Sequence, residues 1–100
     1  MCLHLMTFQA TIGAHDVVVF SKTTCPFCAR VKSLFEDLDV NPHVIEFDKI
    51  PNGGQLQSDL AAYSGQRTVP NVWIKGQHVG GCDETLAAHK NGTLTKMLTK

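Results

Sequence analysis

The sequence predicts an α/β domain, because strand-like and helix-like segments alternate along nearly its whole length. Short apolar runs, of which residues 17–20 are the clearest, are separated by segments whose apolar residues recur with the period of a helix. The first strand, the helix after it and the second strand form a β-α-β unit, so a parallel pair with a right-handed crossover is expected. A tight turn at residues 75–77 predicts that the last two strands form a hairpin.

The first helix and the first strand are indicated by their apolar patterns. Leu5, Phe8 and Ile12 recur at helical spacing, and this helix is expected to end near Gly13. The strand that follows covers roughly residues 16–21. Its unbroken apolar centre is typical of a strand that is covered on both faces, as in α/β sheets.

A second helix follows and carries the clearest apolar stripe. The stripe consists of Phe27, Val31, Leu34, Phe35 and Leu38. The sequence Asn-Pro at residues 41–42 ends this unit, and residues 43–47 are predicted to form the second strand.

Residues 51–54 are predicted to form a turn before a third helix. Leu56, Leu60 and Tyr63 lie on one face of that helix, and Gly65 stops it. The third strand is predicted at residues 71–74 and a short fourth strand at residues 78–80. Asp83 is expected to cap a last helical region, which residues 91–92 kink or split.

Length and composition indicate a single globular domain that spans residues 1–100. Hydrophobic residues make up 43% of the 100 residues, and nine basic side chains balance nine acidic ones. This balance gives no reason to expect nucleic acid or a membrane surface as a partner. No apolar run approaches the roughly 18 residues that a membrane-spanning helix needs.

The N-terminal residues and the pattern of cysteines indicate a reducing compartment. Residues 1–10 lack the basic and long apolar regions of a signal peptide. The cysteines, at positions 2, 25, 28 and 82, do not form the pattern of a secreted disulfide framework. The cytoplasm is therefore the expected location, and a monomer is the expected state.

The most informative motif is Cys25-Pro26-Phe27-Cys28, which lies between the first strand and the second helix. A Cys-x-x-Cys pair in this context is typical of redox chemistry. Residues three apart on a first helical turn lie roughly 5–6 Å from each other, within the range of a disulfide. Pro26 suits the first helical turn, where its missing N–H and fixed φ cost nothing.

The two cysteines are predicted to have different roles. Cys25 lies at the helix N-terminus, where unpaired N–H groups and the nearby Lys22 favour a thiolate, so it is the candidate nucleophile. Cys28 shares the apolar face of Val31 and Phe35 and is expected to be the buried, resolving thiol. The alternative is a zinc site completed by His78 and Cys82, which the long gap and the strand-dithiol-helix context disfavour. We expect no metal.

Two further motifs follow in order: Thr68-Val69-Pro70, and Gly80-Gly81-Cys82-Asp83. With the dithiol, they make the chain similar to a dithiol glutaredoxin over nearly its whole length. The resemblance implies a thioredoxin-like fold, a four-stranded mixed sheet flanked by helices. Two departures are visible: Phe27 stands where the family more often has Tyr, and Cys82 stands where many relatives have other residues.

The resemblance also implies a glutathione site. A cis bond before Pro70 would place the backbone of Val69 beside the dithiol, where it can pair with glutathione; from the residues alone, a trans strand-edge proline is the alternative. The helix start at Gly81 and Cys82 would hold the γ-glutamyl carboxylate, and Asp83 the amino group. The remaining residues implied for this groove are Lys22, Phe27, Gln57 and Thr68, with weaker support for Arg67. Trp73 is interpreted as a core residue, Cys82 as a passive small side chain, and Cys2 and the histidines are assigned no role.

The implied function is that of a glutathione-dependent thiol–disulfide oxidoreductase. Its partners would be glutathione as co-substrate, glutathionylated or disulfide-bonded proteins, and glutathione reductase indirectly. Two alternatives remain. One is a thioredoxin-type reductase, which Gly-Pro between the cysteines would favour. The other is a carrier in which Cys25 and glutathione bind a [2Fe–2S] cluster; the stiff Pro26 and the competing thiol of Cys28 disfavour it.

Overall fold

A computed structural model of the chain describes the backbone of residues 3–99 and the side chains of residues 8–99. The elements are α1 (Leu3–Ala14), β1 (Val17–Ser21), α2 (Pro26–Asp37), β2 (His43–Glu46), α3 (Gly53–Ser64), β3 (Asn71–Ile74), β4 (Gln77–Gly80), α4 (Cys82–Lys90) and α5 (Thr93–Thr99). A 3₁₀ turn (Phe47–Lys49) lies between β2 and α3. The predicted order of elements is confirmed, and the last helical region is split in two at residues 91–92.

The strands form one four-stranded mixed sheet in the order β2-β1-β3-β4. β1 runs parallel to β2, with Val19 opposite Val44, and antiparallel to β3, with Val19 opposite Val72. β3 and β4 form the predicted hairpin, and an irregularity in the pairing lies between Val72 and Trp73. The predicted parallel pair and the predicted sheet are therefore confirmed.

Both faces of the sheet are covered, as the unbroken apolar run of β1 predicts. Val18 and Phe20 point to the face covered by α1 and α3, whereas Val17 and Val19 point to the face covered by α2 and α5. The first face buries Phe8, Ile12, Phe47, Leu56, Leu60 and Trp73. The second buries Val31, Phe35, Val72, Ile74, Cys82 and Leu94. The prediction that Trp73 belongs to the core is confirmed.

The start of α3 differs from the prediction, since Gly53 lies inside the helix and not in a preceding turn. The N–H of Gly53 donates to the carbonyl of Ile50 at 3.2 Å, and the N–H of Leu56 donates to Asn52 at 2.9 Å, so the turn runs directly into the helix. Phe47, predicted to end the second strand, begins the 3₁₀ turn instead. Its carbonyl lies where a side chain on Gly53 would have to be.

Tyr63 lies at the edge of the core and not within it. Its side chain is 54% exposed, whereas Leu56 and Leu60 on the same helix are buried. The ring meets Phe8 edge-on at 5.3 Å and stacks on Trp73 at 5.7 Å. Tyrosine suits such a position because its ring can pack while its hydroxyl group stays in water.

The cap of α4 is Gly81, and the prediction that Asp83 caps this helix is wrong. The carbonyl of Gly81 accepts the N–H of Thr85 at 3.0 Å, and the carboxylate of Glu84 reaches back to accept the N–H of Gly81 at 2.7 Å. Gly80, with φ of +124°, breaks the strand immediately before this cap. Asp83 lies within the first helical turn, where its charge still complements the helix dipole.

Among the described residues, no helix is long and apolar enough to cross a membrane.

The contact between Gly53 and the 3₁₀ turn predicts a stability difference between neighbouring glycines. A Cβ on Gly53 would lie 1.7 Å from the carbonyl oxygen of Phe47, whereas a Cβ on Gly54 would meet nothing within 4 Å. We expect Gly53→Ala to lower the free energy of unfolding by about 2–4 kcal/mol, because backbone atoms must move apart. Gly54→Ala, the matched control, should be neutral or stabilising by up to about 1 kcal/mol. Urea unfolding of both variants would contradict this account if they were equally stable.

Candidate active site

The dithiol lies where β1 gives way to α2. Cys25 is the N-cap of α2, its backbone is extended, and Pro26 takes the first helical position. The sulfur of Cys25 accepts a hydrogen bond from the N–H of Cys28 at 3.3 Å. The sulfur thus occupies the place that a capping oxygen usually takes, where unpaired N–H groups and the helix dipole stabilise negative charge.

The two sulfurs lie in different environments, as predicted. Cys28 is fully buried, whereas Cys25 is partly exposed. Burial, reinforced by the hydrogen bond to Cys25, raises the pKa of Cys28 to about 11, although hydrogen bonds with Ser21 and Lys22 oppose the rise. Cys28 is therefore a neutral thiol at physiological pH, beside a sulfur that is placed to carry charge.

The loop before the dithiol is held by Asp48, a residue to which the sequence analysis assigned no role. The carboxylate of Asp48 accepts the N–H of Thr23 at 3.1 and 3.3 Å through its two oxygens, and it also accepts the hydroxyl of Thr23. These bonds hold the pKa of Asp48 below its ordinary value. Within the same loop, the N–H of Cys25 donates to the carbonyl of Lys22 at 3.1 Å. Asp48 thereby connects the loop before Cys25 to the segment that follows β2.

The backbone around Pro70 lies next to the dithiol. The peptide bond between Val69 and Pro70 is cis, which confirms the prediction. The thiol of Cys25 donates to the carbonyl oxygen of Val69 at 3.8 Å. Pro70 is buried, Val69 is half-buried and Thr68 is exposed. Val69 is thus beside the sulfur of Cys25 and partly open to solvent.

The Gly81-Cys82-Asp83 motif forms the opposite wall. A Cβ on Gly81 would lie 3.6 Å from the carbonyl oxygen of Pro70, so the second and third motifs are in close proximity. The N–H groups of Cys82 and Asp83 belong to the first turn of α4, where helix geometry leaves them without a partner in the helix.

The thiol of Cys82 is a buried neighbour of the reactive sulfur. Burial raises its pKa, and the charge of Arg30 opposes that rise. The charge of Asp83 and the electrostatic interaction with Cys25 raise the pKa of Cys82 further. Arg30 was not predicted as a site residue, since nothing in its position along the chain indicates that α2 brings it to Cys82.

The other predicted residues form no single contact network among the side chains that the structure describes. Gln57 donates to the carbonyl of Arg67 at 3.3 Å, so α3 adjoins the segment before Pro70. Lys22 follows β1 and is half-buried, and Phe27 on α2 is 53% exposed. Within residues 8–99, no hydrogen bond or ion pair joins the side chains of Lys22, Phe27 or Asp83 to the other members of the predicted site. Cys2 lies outside the described residues.

No metal-ligand cluster is formed by the part of the chain that the structure describes. Its His, Cys, Asp and Glu side chains form no group of three or more that could hold a metal ion. The zinc site considered for Cys25, Cys28, His78 and Cys82 is therefore not assembled by these side chains.

The raised pKa of Cys28 predicts that the two active-site thiols react differently with iodoacetamide. With a pKa of about 11, only about one Cys28 in a thousand is a thiolate at pH 8. We expect peptide mapping at pH 7–8 to show modification of Cys25 first, and reaction of Cys28 to increase as the pH rises from about 9 towards 11. The Cys28→Ser variant, which has no second active-site thiol, is the control. Equal rates of alkylation of Cys25 and Cys28 at neutral pH would contradict the raised pKa of Cys28.

Comparison with known proteins identifies relatives along nearly the whole chain. The family model described as Glutaredoxin matches residues 17–79. Glutaredoxin-C4, chloroplastic, from Oryza sativa subsp. japonica is 54% identical over 89 residues, which cover 89% of this chain and 67% of the relative. Glutaredoxin-C2 from Arabidopsis thaliana is 51% identical over 89 residues, with 89% and 80% covered.

Solved structures show the same architecture. The crystal structure of a buckwheat glutaredoxin–glutathione complex has a TM-score of 0.94 and 44% identity, and the match covers 97% of this chain and 88% of that one. The holo form of glutaredoxin C1 from Populus tremula x tremuloides has a TM-score of 0.93 and 40% identity, with 97% and 96% covered. The sheet, the dithiol at a helix start and these matches agree: the chain belongs to the glutaredoxin family of thiol oxidoreductases, as a dithiol member with a thioredoxin-like fold.

Proposed function

We propose that this protein is a glutathione-dependent oxidoreductase that reduces protein–glutathione mixed disulfides and protein disulfides. The observation that carries the proposal is the position of the sulfur of Cys25. It is partly exposed, it accepts the N–H of Cys28, and it lies 3.8 Å from the main chain of Val69. A thiolate stabilised beside an accessible backbone edge can attack a disulfide that is bound along that edge.

Reduction of a glutathione mixed disulfide needs two exchanges at Cys25. The thiolate attacks the sulfur of the glutathionyl group, the original disulfide breaks, and the protein partner leaves as a thiolate that takes a proton from water. Cys25 is then disulfide-bonded to glutathione. The thiolate of a second glutathione attacks the glutathionyl sulfur, which forms glutathione disulfide and returns Cys25 as a thiolate. Glutathione reductase would regenerate the glutathione.

Reduction of a protein disulfide uses Cys28. Attack by Cys25 gives a mixed disulfide with the protein substrate, and Cys28 then loses its proton and attacks the sulfur of Cys25. This step releases the reduced substrate and leaves a disulfide between Cys25 and Cys28, which glutathione reduces. Because Cys28 is fully buried and protonated at rest, it does not compete for substrates before Cys25 has reacted.

The substrate groove, by which we mean the cleft between residues 68–70 and residues 81–83 beside Cys25, suits a short acidic peptide. The main chain of Val69 offers a donor and an acceptor to an extended ligand, and the first turn of α4 offers N–H groups to a carboxylate. Asp83 would meet an amino group. Lys22, Gln57 and Arg67 would meet the other carboxylate, while Thr68 and Phe27 would line the rim. A related buckwheat protein has been crystallised as a glutathione complex, which supports glutathione as the ligand.

Two alternatives remain open to test. Cluster binding would give freshly purified protein a visible absorption spectrum. We favour disulfide exchange because Cys28, whose N–H donates to the sulfur of Cys25, supplies a second thiol on the same helical turn. A thioredoxin-type reductase would be served by a flavoprotein and not by glutathione. The cytoplasm and a monomeric state stay predictions from the sequence.

The asymmetry of the two thiols predicts different losses in two serine variants. Cys28→Ser should keep or even raise turnover on glutathionylated substrates, because a second glutathione completes that cycle and the competing internal disulfide cannot form. It should abolish reduction of a protein disulfide that depends on the dithiol route. Cys25→Ser should lose both activities, because the attacking thiolate is gone.

The comparison uses the wild-type protein and both variants on the two substrate types, with unfolding curves to confirm that each variant folds. If Cys28→Ser lost deglutathionylation as completely as Cys25→Ser, the proposed one-thiol cycle would be wrong.

A further inference from the structure

Gln66 holds one wall of the substrate groove, residues 68–70, through its side-chain amide. Its nitrogen donates to the carbonyl of Thr68 and to the carbonyl of Pro70, each at 2.9 Å. Both hydrogens of the amide are used in this way. We propose that Gln66 is a positioning residue, which fixes the shape of the groove and thereby the binding of the glutathionyl group. This inference rests on the proposed function.

The two bonds set the direction of the backbone at Val69. The carbonyls on either side of Val69, those of Thr68 and Pro70, turn towards Gln66, whereas the carbonyl of Val69 turns towards the sulfur of Cys25. The amide therefore occupies the neighbouring carbonyls, and the carbonyl of Val69, which accepts the Cys25 thiol, becomes available for a ligand once that thiol has lost its proton. Without the amide, two carbonyl groups would need new donors, and the segment would relax towards water.

The same amide adjoins the opposite wall. A Cβ on Gly81 would lie 3.6 Å from the amide nitrogen of Gln66 and 3.6 Å from the carbonyl oxygen of Pro70. The three groups thus meet at one point, where the segment before β3 contacts the cap of α4. Glu84 holds the other side of that cap through the N–H of Gly81. The amide of Gln66 therefore lies at the place where the two walls adjoin.

The backbone of Gln66 is itself held by a polar network that reaches into the sheet. The N–H of Gln66 donates to the hydroxyl of Ser64 at 3.1 Å, and the same hydroxyl accepts from the side chain of Asn71 at 3.2 Å. The oxygen of that side chain accepts the indole N–H of Trp73 at 2.8 Å. Asn71 and Trp73 are buried in β3. The backbone of Gln66 is therefore anchored to the core, which suits a residue that positions its neighbours.

Gln66 makes no hydrogen bond to Cys25, which is bonded to Lys22, Cys28, Ala29 and Val69. Its loss should therefore weaken binding of the glutathionyl group while the reactivity of the thiolate stays as it is. This combination distinguishes a positioning role from a general contribution to folding, which would lower both together.

The test is steady-state kinetics of Gln66→Met on a glutathionylated peptide, with glutathione and glutathione reductase. Methionine keeps the length of the side chain but donates no hydrogen bond. We expect KM for the peptide to rise about tenfold, which corresponds to about 1.4 kcal/mol, with kcat changed less than KM. The rate of alkylation of Cys25 by iodoacetamide should equal that of the wild type. Gln77→Met, an exposed glutamine at the far end of β4, is the matched control and should match the wild type in every measurement.

A second variant covers the case in which Gln66→Met does not fold. Gln66→Glu places an acceptor against the same two carbonyls, so it should raise KM at least as much as Gln66→Met. Hydrogen exchange at Thr68, Val69 and Asn71 should also be faster in this variant than in the wild type. An unchanged KM in a folded variant would overturn the inference. So would a parallel fall of kcat and of Cys25 alkylation. A wild-type protein without glutathione-dependent turnover would instead overturn the proposed function, and the hydrogen-exchange result would still decide whether Gln66 orders the segment.

Discussion

The hydrogen bond from the N–H of Cys28 to the sulfur of Cys25 is the interaction on which the site depends. It exists because Cys25 is the N-cap of α2 and because Pro26 allows the helix to begin at once. It makes the sulfur of Cys25 an acceptor at the positive end of a helix, and it brings the buried thiol of Cys28 within reach. A dithiol in the middle of a helix would have the same spacing but no unpaired N–H groups to stabilise the thiolate.

The topology of the sheet explains why three motifs that are far apart in the chain meet at this sulfur. β3 runs antiparallel to β1, and β4 antiparallel to β3. The end of β1, the beginning of β3 and the end of β4 therefore share one edge of the sheet. The dithiol follows the first of these ends, residues 68–70 precede the second, and residues 81–83 follow the third. Asp48 reaches the same edge because β2 is parallel to β1.

Much of the fold could be predicted from local pattern. The apolar run of β1 and the helical stripe of α2 each indicated their element, and the dithiol between them located the reactive residues. The predictions failed where a contact between distant segments decides the outcome. Gly53 was predicted to lie in a turn, but it is a helical residue packed against the carbonyl of Phe47. Asp83 was predicted to cap α4, but Gly81 is the cap, and the carboxylate of Glu84 accepts its N–H.

The residues that hold the site were missed for the same reason. Asp48 lies 25 residues from Thr23 in the chain. No motif near either residue predicts their contact, and the β-α-β unit predicts only that both lie at the same edge of the sheet. Gln66 lies close in sequence to its partners, yet a polar side chain before a turn is usually solvated surface. The residues that react could be recognised by type and spacing, whereas those that position them became visible only through the hydrogen bonds they make.

The central claim is that glutathione, and not a thioredoxin-type flavoprotein, returns the electrons to Cys25. The most direct measurement compares the oxidation of NADPH by this protein and a disulfide substrate in two coupled systems, one with glutathione and glutathione reductase and the other with thioredoxin reductase. Our account predicts sustained turnover in the first system and none above background in the second. Turnover with thioredoxin reductase alone would contradict it.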